Sequence, residues 1–143
     1  MNFLIADTGP LVALLNQKES SHAWCVQALA DFDGVLLTCE PVLTEAFFLL
    51  DKTHTGTDSL WDMLSRGLLV ISFELKQELP AVQKLKTTYR NVPMSLADAC
   101  LVRMSELYPG VNLFTLDTDF QIYRKNKNEP IRCLAPWSEE CVE

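Results

Sequence analysis

Four stretches of the chain hold carboxylates where carboxylates are costly. In "FLIADTGPLVALL", residues 3–15, Asp7 stands in an otherwise almost wholly apolar run, and a buried charge without a partner is unfavourable. In "EPVLTEAFFLLDKT", residues 40–53, Glu45 has Pro41, Val42, Phe48 and Leu49 as its neighbours three and four positions away. A helix apolar all round is a buried helix, so we expect Glu45 to be buried and to need a partner. Asp98 closes "SLAD", an S-x-x-D pattern ahead of an apolar run, and Asp117 and Asp119 lie in "FTLDTDF".

Each acid has a structural explanation of its own. Asp7 could sit at a helix N-terminus, where the macrodipole favours it. Glu45 could pair with a buried Lys or Arg. Asp98 could be the N3 member of a capping box begun by Ser95, although Glu or Gln is usual there. Asp117 or Asp119 could cap the next turn. Taken together, Asp7, Glu45, Asp98 and Asp117 suggest one acidic pocket. Two carboxylates 4 Å apart repel by about 4 kcal/mol at an effective dielectric near 20, so four cannot all stay ionised without protons or a cation. Oxygen-rich ligation suits Mg²⁺ or Mn²⁺. With His22 and His54 the only histidines, zinc held by imidazole is disfavoured. No glycine-rich phosphate loop is present. The chemistry indicated is phosphodiester hydrolysis by metal-activated water.

The elements that must position these acids can be read in outline. Strands are expected at residues 2–6, 35–39, 68–73, 112–116 and 130–134. Helices are expected from Thr8, which can cap the first, and then over 20–32, 40–53, 57–67, 76–90 and 95–108, with a short helix or turn at 117–125. Strands alternate with helices and are continuous apolar runs, the pattern of a parallel sheet covered on both faces. In such α/β sheets, sites form at the carboxyl ends of the strands.

At 143 residues the chain is expected to be one domain, 1–143. It is 48% hydrophobic and 22% charged, which is ordinary for a globular protein and disfavours disorder. The N-terminus is a poor signal peptide, and no apolar run approaches the roughly 18 residues that span a membrane. A cytoplasmic protein is expected. Five cysteines with no C-x-x-C pair disfavour a disulfide framework or zinc knuckle and read as small core residues. The net charge of −7 argues against broad, nonspecific nucleic-acid binding.

Four blocks in order, "LIADTGPLVALL", "TCEPVLTEAFFLL", "MSLADACLV" and "LFTLDTDF", resemble the PIN-domain ribonucleases, particularly the VapC-like toxins of toxin–antitoxin pairs. The resemblance covers nearly the whole chain and implies a three-layer α/β fold, a central parallel sheet flanked by helices on both faces. It matches the family's metal-binding, catalytic acids to Asp7, Glu45, Asp98 and Asp117. It matches Thr8 and Thr115 to hydroxyl residues that orient ligands or water, and Asp119 to a secondary acid. It implies a Mg²⁺- or Mn²⁺-dependent endoribonuclease acting on single-stranded RNA and leaving 5′-phosphate and 3′-hydroxyl ends. It also implies homodimers and inhibition by a small antitoxin whose tail covers the site. Solitary PIN nucleases and non-catalytic RNA- or protein-binding PIN modules are the alternatives.

Substrate contacts are less well marked. "YRKNKNEPIR", residues 123–132, offers Arg124, Lys125, Lys127 and Arg132 to an RNA backbone, or is a solvated loop. Trp24, Trp61 and Trp137 could stack bases or pack internally, and His22 reads as a surface residue. Two rival chemistries fit poorly. "DTG" occurs at aspartic-protease sites, but here it leads into a helix in an α/β pattern. A phosphoryl-aspartate site needs a supporting Lys, and none lies in the strand-end blocks.

Overall fold

The computed structural model describes residues 2–138. The sheet strands are β1 (Asn2–Ala6), β2 (Gly34–Thr38), β3 (Leu69–Ile71), β4 (Asn112–Phe114) and, closing the series, β7 (Cys133–Leu134). They form one five-stranded sheet in the order β3-β2-β1-β4-β7, every adjacent pair parallel. The helices are α1 (Thr8–Leu15), α2 (His22–Ala28), α3 (Glu40–Thr53), α4 (Thr57–Ser65), α5 (Leu75–Thr88) and α6 (Leu96–Leu107). A 3₁₀ turn spans Thr118–Gln121, and β5 (Arg124–Lys125) pairs antiparallel with β6 (Glu129–Pro130) in a separate hairpin. Among the described residues no helix is long and apolar enough to cross a membrane.

The sheet and its flanking helices confirm the expected α/β architecture. Parallel strands need crossover connections, which helices supply except between β4 and β7, where the 3₁₀ turn and the β5–β6 hairpin do. The core is built from the apolar runs of the strands and one stripe of each helix. Ile5, Leu11, Val42, Leu50, Leu101, Met104, Leu113 and Phe114 are fully buried. α6 packs on β1, β4, α3 and α5, while α1 packs on α2 and α3. Cys25, Cys39, Cys100 and Cys133 are buried, as expected of small core residues; Cys141 lies outside the described residues.

Several expectations need correction. The second helix stops at Ala28 instead of residue 32, because the chain turns through single Ala30-to-Gln27 and Phe32-to-Leu29 backbone bonds. The last strand of the sheet has two residues, not residues 130–134. Pro130 has no N–H to give a ladder, and with Glu129 it pairs with β5 instead. Asp7, not Thr8, caps α1: its backbone is extended and its Oδ1 accepts the Thr8 N–H at 2.7 Å. At the other end of α3, His54 and Gly56 both adopt left-handed backbone, and a side chain on Gly56 would strike the Leu15 carbonyl.

The strand order places the site. From β1 the chain proceeds outward to β2 and β3, then returns to lay β4 on the other side of β1. Adjacent strands whose connections leave in opposite directions open a crevice at their carboxyl ends. That crevice lies beyond Ala6 and Phe114, which are paired in register. Because Leu101 on α6 is fully enclosed, Leu101→Ala should cost about 2–5 kcal/mol of stability, measured by urea unfolding.

Candidate metal centre

Asp7 leaves β1 directly into the crevice and is 7% exposed. Its Oδ1 is held by the Thr8 N–H and its Oδ2 by the Thr115 hydroxyl, both at 2.7 Å. Thr115 follows β4 and is fully buried. Its oxygen also accepts the Asp117 N–H at 3.0 Å, and Asp117 Oδ1 accepts the Asp119 N–H at 2.9 Å. One threonine therefore fixes the acid after β1 relative to the acids after β4. α6 brings Asp98 from the side. Ser95 caps that helix, its Oγ accepting the Asp98 N–H at 3.0 Å, as the S-x-x-D pattern anticipates.

Asp98, Asp117 and Asp119 each offer a carboxylate oxygen within 4.8 Å of the others. The structure thus brings together two acids expected as ligands and one expected in a supporting role. Asp7 stands beside this trio and feels the charges of Asp98 and Asp117. Burial pushes the Asp7 carboxyl up from 3.8 to about 6, against the lowering effect of its Thr115 and Thr8 hydrogen bonds. Burial also raises Asp98, partly offset by the hydrogen bond from Tyr123 and reinforced by the Asp117 charge.

Glu45 differs from its expectation. It is exposed, not buried. The inward stripe of α3 is Val42, Leu43, Ala46 and Leu50, whereas Phe48 is 62% and Leu49 40% exposed. The apolar composition of α3 thus reflects an uncovered outer face rather than complete enclosure. Glu45 sits at the rim of the crevice. Its Oε2 accepts the Thr8 hydroxyl at 3.1 Å, and its charge reaches Asp98. Thr8 is free to make this bond because Asp7 has taken over the cap.

Tyr123 was not legible as a site residue. It is fully buried and donates its hydroxyl to Asp98 Oδ2 at 3.0 Å. Burial and the adjacent Asp98 charge push its phenol far up, so it remains a donor. Edge-on contacts with Phe120 and Tyr89 lock the ring in place. The only signal in the sequence was an aromatic residue soon after "DTD". The expected peripheral residues lie elsewhere. Arg124 and Lys127 border a cavity between α5 and α6, and Lys125 pairs in register with Glu129. Trp24 tilts against Phe114, and Trp61, 57% exposed, packs on Phe47. Trp137 packs against the core. His22 is partly buried and ties α2 to the Ala13 carbonyl.

The donor set fits a hard divalent cation. Octahedral Mg²⁺ at about 2.1 Å from oxygen needs ligand oxygens about 3–4 Å apart, which small side-chain adjustments in the trio supply. The trio contains neither sulfur nor imidazole.

An α/β crevice that gathers acids from the ends of β1 and β4 and the start of α6 defines a class, and comparison with known proteins gives its family. Over residues 4–126 the chain matches the PIN domain and belongs to that family. No curated protein matches it. Among solved structures, it is similar to the VapC20 toxin of Mycobacterium tuberculosis, described as cleaving the sarcin–ricin loop. The two are 20% identical with a TM-score of 0.73, over 89% of this chain and 99% of VapC20. At that identity the likeness is one of fold.

Two outcomes follow from this geometry. Asp7 is higher in the folded state than in the unfolded chain, so the protonated form favours folding. Its contribution is complete below pH 3.8 and is lost as pH rises through about 6. Metal-free protein should be less stable at about pH 7.5 than at about pH 5, by about 1 kcal/mol from Asp7. Mg²⁺ should stabilise it more at the higher pH; urea midpoints with and without EDTA measure both effects. Tyr123→Phe should weaken Mn²⁺ binding about tenfold, read by calorimetric titration.

Proposed function

We propose that this protein is a divalent-metal-dependent endoribonuclease of the VapC-like kind, a single PIN domain acting on single-stranded RNA in the cytoplasm. The observation that carries the reading is the meeting of Asp98, Asp117 and Asp119 within 4.8 Å beside the buried Asp7. So concentrated a set of hydrogen-bonded but uncompensated carboxylates costs stability, and a cation site accounts for the cost.

Asp7, Asp98 and Asp117 would hold Mg²⁺ or Mn²⁺, with Asp119 beside them and Glu45 at the rim. When bound, the ion would offset two of the cluster's negative charges and lower the pKa of water at the site. The chain's own groups do the positioning. Thr115 sets Asp7 against Asp117, Tyr123 sets Asp98, and Thr8 sets Glu45. An open recess of about 450 Å³ bordered by Pro41, Thr44, Glu45, Phe73 and Leu96 gives the strand a way in. In the hydrolysis, water adds to phosphorus, the bond to the 3′ oxygen breaks, and that oxygen takes a proton. The products are 5′-phosphate and 3′-hydroxyl ends.

The same reading includes a protein partner, a small antitoxin, and a homodimer. The exposed Phe48, Leu49 and Trp61 on α3 and α4 favour a surface that another chain covers. A non-catalytic binding module is disfavoured, because mere binding gives no reason to keep buried acids together. The test is cleavage of a mixed RNA pool. Wild-type protein should cut with Mg²⁺ or Mn²⁺ and stop with EDTA. Asp7→Asn should remain folded and lose about hundredfold or more in rate. Full activity in Asp7→Asn, or cleavage indifferent to EDTA, would sink the proposal.

A further inference from the structure

The chain has 12 basic residues and a net charge of −7, yet its cations are not evenly spread. A cavity of about 350 Å³ between α5, α6 and the β5–β6 hairpin is lined by Lys84, Arg103, Arg124 and Lys127. An adjoining one of about 540 Å³ shares Lys84 and adds Arg90. Among the described residues, Glu106 is the one acid in either lining. It and Glu78 compensate Arg103, at 3.1 and 2.7 Å. Lys84, Arg90, Arg124 and Lys127 have no ion pair among the described residues.

Arg124 is pinned rather than loose. Its Nη1 donates to the carbonyls of Gln121, Ile122 and Tyr123 at 2.7, 3.2 and 3.0 Å. Among the described residues its Nε and Nη2 have no partner, so three N–H donors remain for an anion. The hairpin is pinned as well. Asn126 and Lys127 turn through left-handed backbone, and the Asn126 N–H is held by Glu106. Beside the cations the cavity is lined by Ala81, Leu85 and Tyr89. Tyr89 accepts the Arg124 N–H at 2.8 Å and packs on Tyr123, whose hydroxyl holds Asp98. Tyr89 and Tyr123 therefore form a partition between this cavity and the acid cluster.

A fixed guanidinium and two lysines over an apolar, aromatic-edged floor suit a group with a phosphate at one end and a planar ring at the other. The volume suits a small ligand and is too narrow for a peptide helix, which is about 10 Å across. We propose that this cavity is a nucleotide subsite. It seats one residue of an RNA strand away from the scissile bond, the phosphate on Lys84, Arg124 and Lys127 and the base against Leu85 and Tyr89. The RNA identity rests on the nuclease reading, whereas the subsite does not require cleavage.

The test is fluorescence-anisotropy binding of a labelled RNA 10-mer to the Asp7→Asn protein in Mg²⁺, across a KCl series. Adding Lys84→Ala with Lys127→Ala should raise Kd about tenfold. It should also flatten the slope of log K against log salt by about 0.7, because one phosphate is no longer neutralised. Ala81→Phe keeps every cation but fills the floor, and should weaken binding as well. Affinity unchanged in the lysine variant overturns the subsite, as does affinity unchanged in Ala81→Phe. AMP binding as tightly as the 10-mer overturns the assignment to a strand. Cleavage by wild-type protein is measured separately. If it is absent while cavity-dependent binding persists, the nuclease reading falls and the subsite stands.

Discussion

Repulsion among carboxylates at one edge of the sheet is the constraint around which the rest of the structure is arranged. At 4.8 Å two like charges oppose each other by about 3 kcal/mol at an effective dielectric near 20. The groups that hold them, the Thr8 N–H, the Thr115 and Tyr123 hydroxyls and the Asp119 N–H, are all neutral. They fix Asp7, Asp98 and Asp117 in place without adding a compensating charge. An arrangement of rigid, hydrogen-bonded and uncompensated acids is preorganised for a cation and unfavourable without one.

This accounts for where the polar residues of the core are spent. Thr38, Thr115 and Asp7 are buried at the carboxyl ends of β2, β4 and β1. Thr38 satisfies the Ala6 carbonyl at 3.1 Å just before Asp7 leaves the strand. At the crevice the Asp7 and Thr115 N–H groups still bond the Phe114 and Leu134 carbonyls, and the Thr38 hydroxyl serves the Ala6 carbonyl. The cationic cavity behind Tyr123 shows the complementary economy. The chain is acidic in sum, but a sum says little about local fields. The acid cluster and the cationic cavity lie on either side of Tyr89 and Tyr123.

The alternation of strands and helices, the parallel sheet and the acids worth inspecting were all legible in the sequence. Apolar runs and strand-end carboxylates are local signals, and the S-x-x-D cap at Ser95 is another. What failed was non-local. The apolar helical neighbours of Glu45 point to burial, yet Phe48 and Leu49 face outward. Helix periodicity gives a residue's neighbours but not what lies across from them. The role of Tyr123 depends on the turn after β4 folding back onto α6, a tertiary event with no motif. Pro130 was expected to open the last strand but joins a hairpin instead, and that hairpin depends on a turn with two left-handed residues that are not glycine.

The bond between Thr115 and Asp7 joins residues 108 positions apart, and it has a consequence for synthesis on the ribosome. β1 is made first but occupies the middle of the sheet, and its second neighbour, β4, is made near the end. Until Asp117 and Asp119 emerge, Asp7 has neither its threonine nor the rest of the cluster. A nascent or prematurely ended chain therefore carries the first acid without the site. Order of translation thus withholds whatever chemistry the cluster performs from any copy that ends before Asp117.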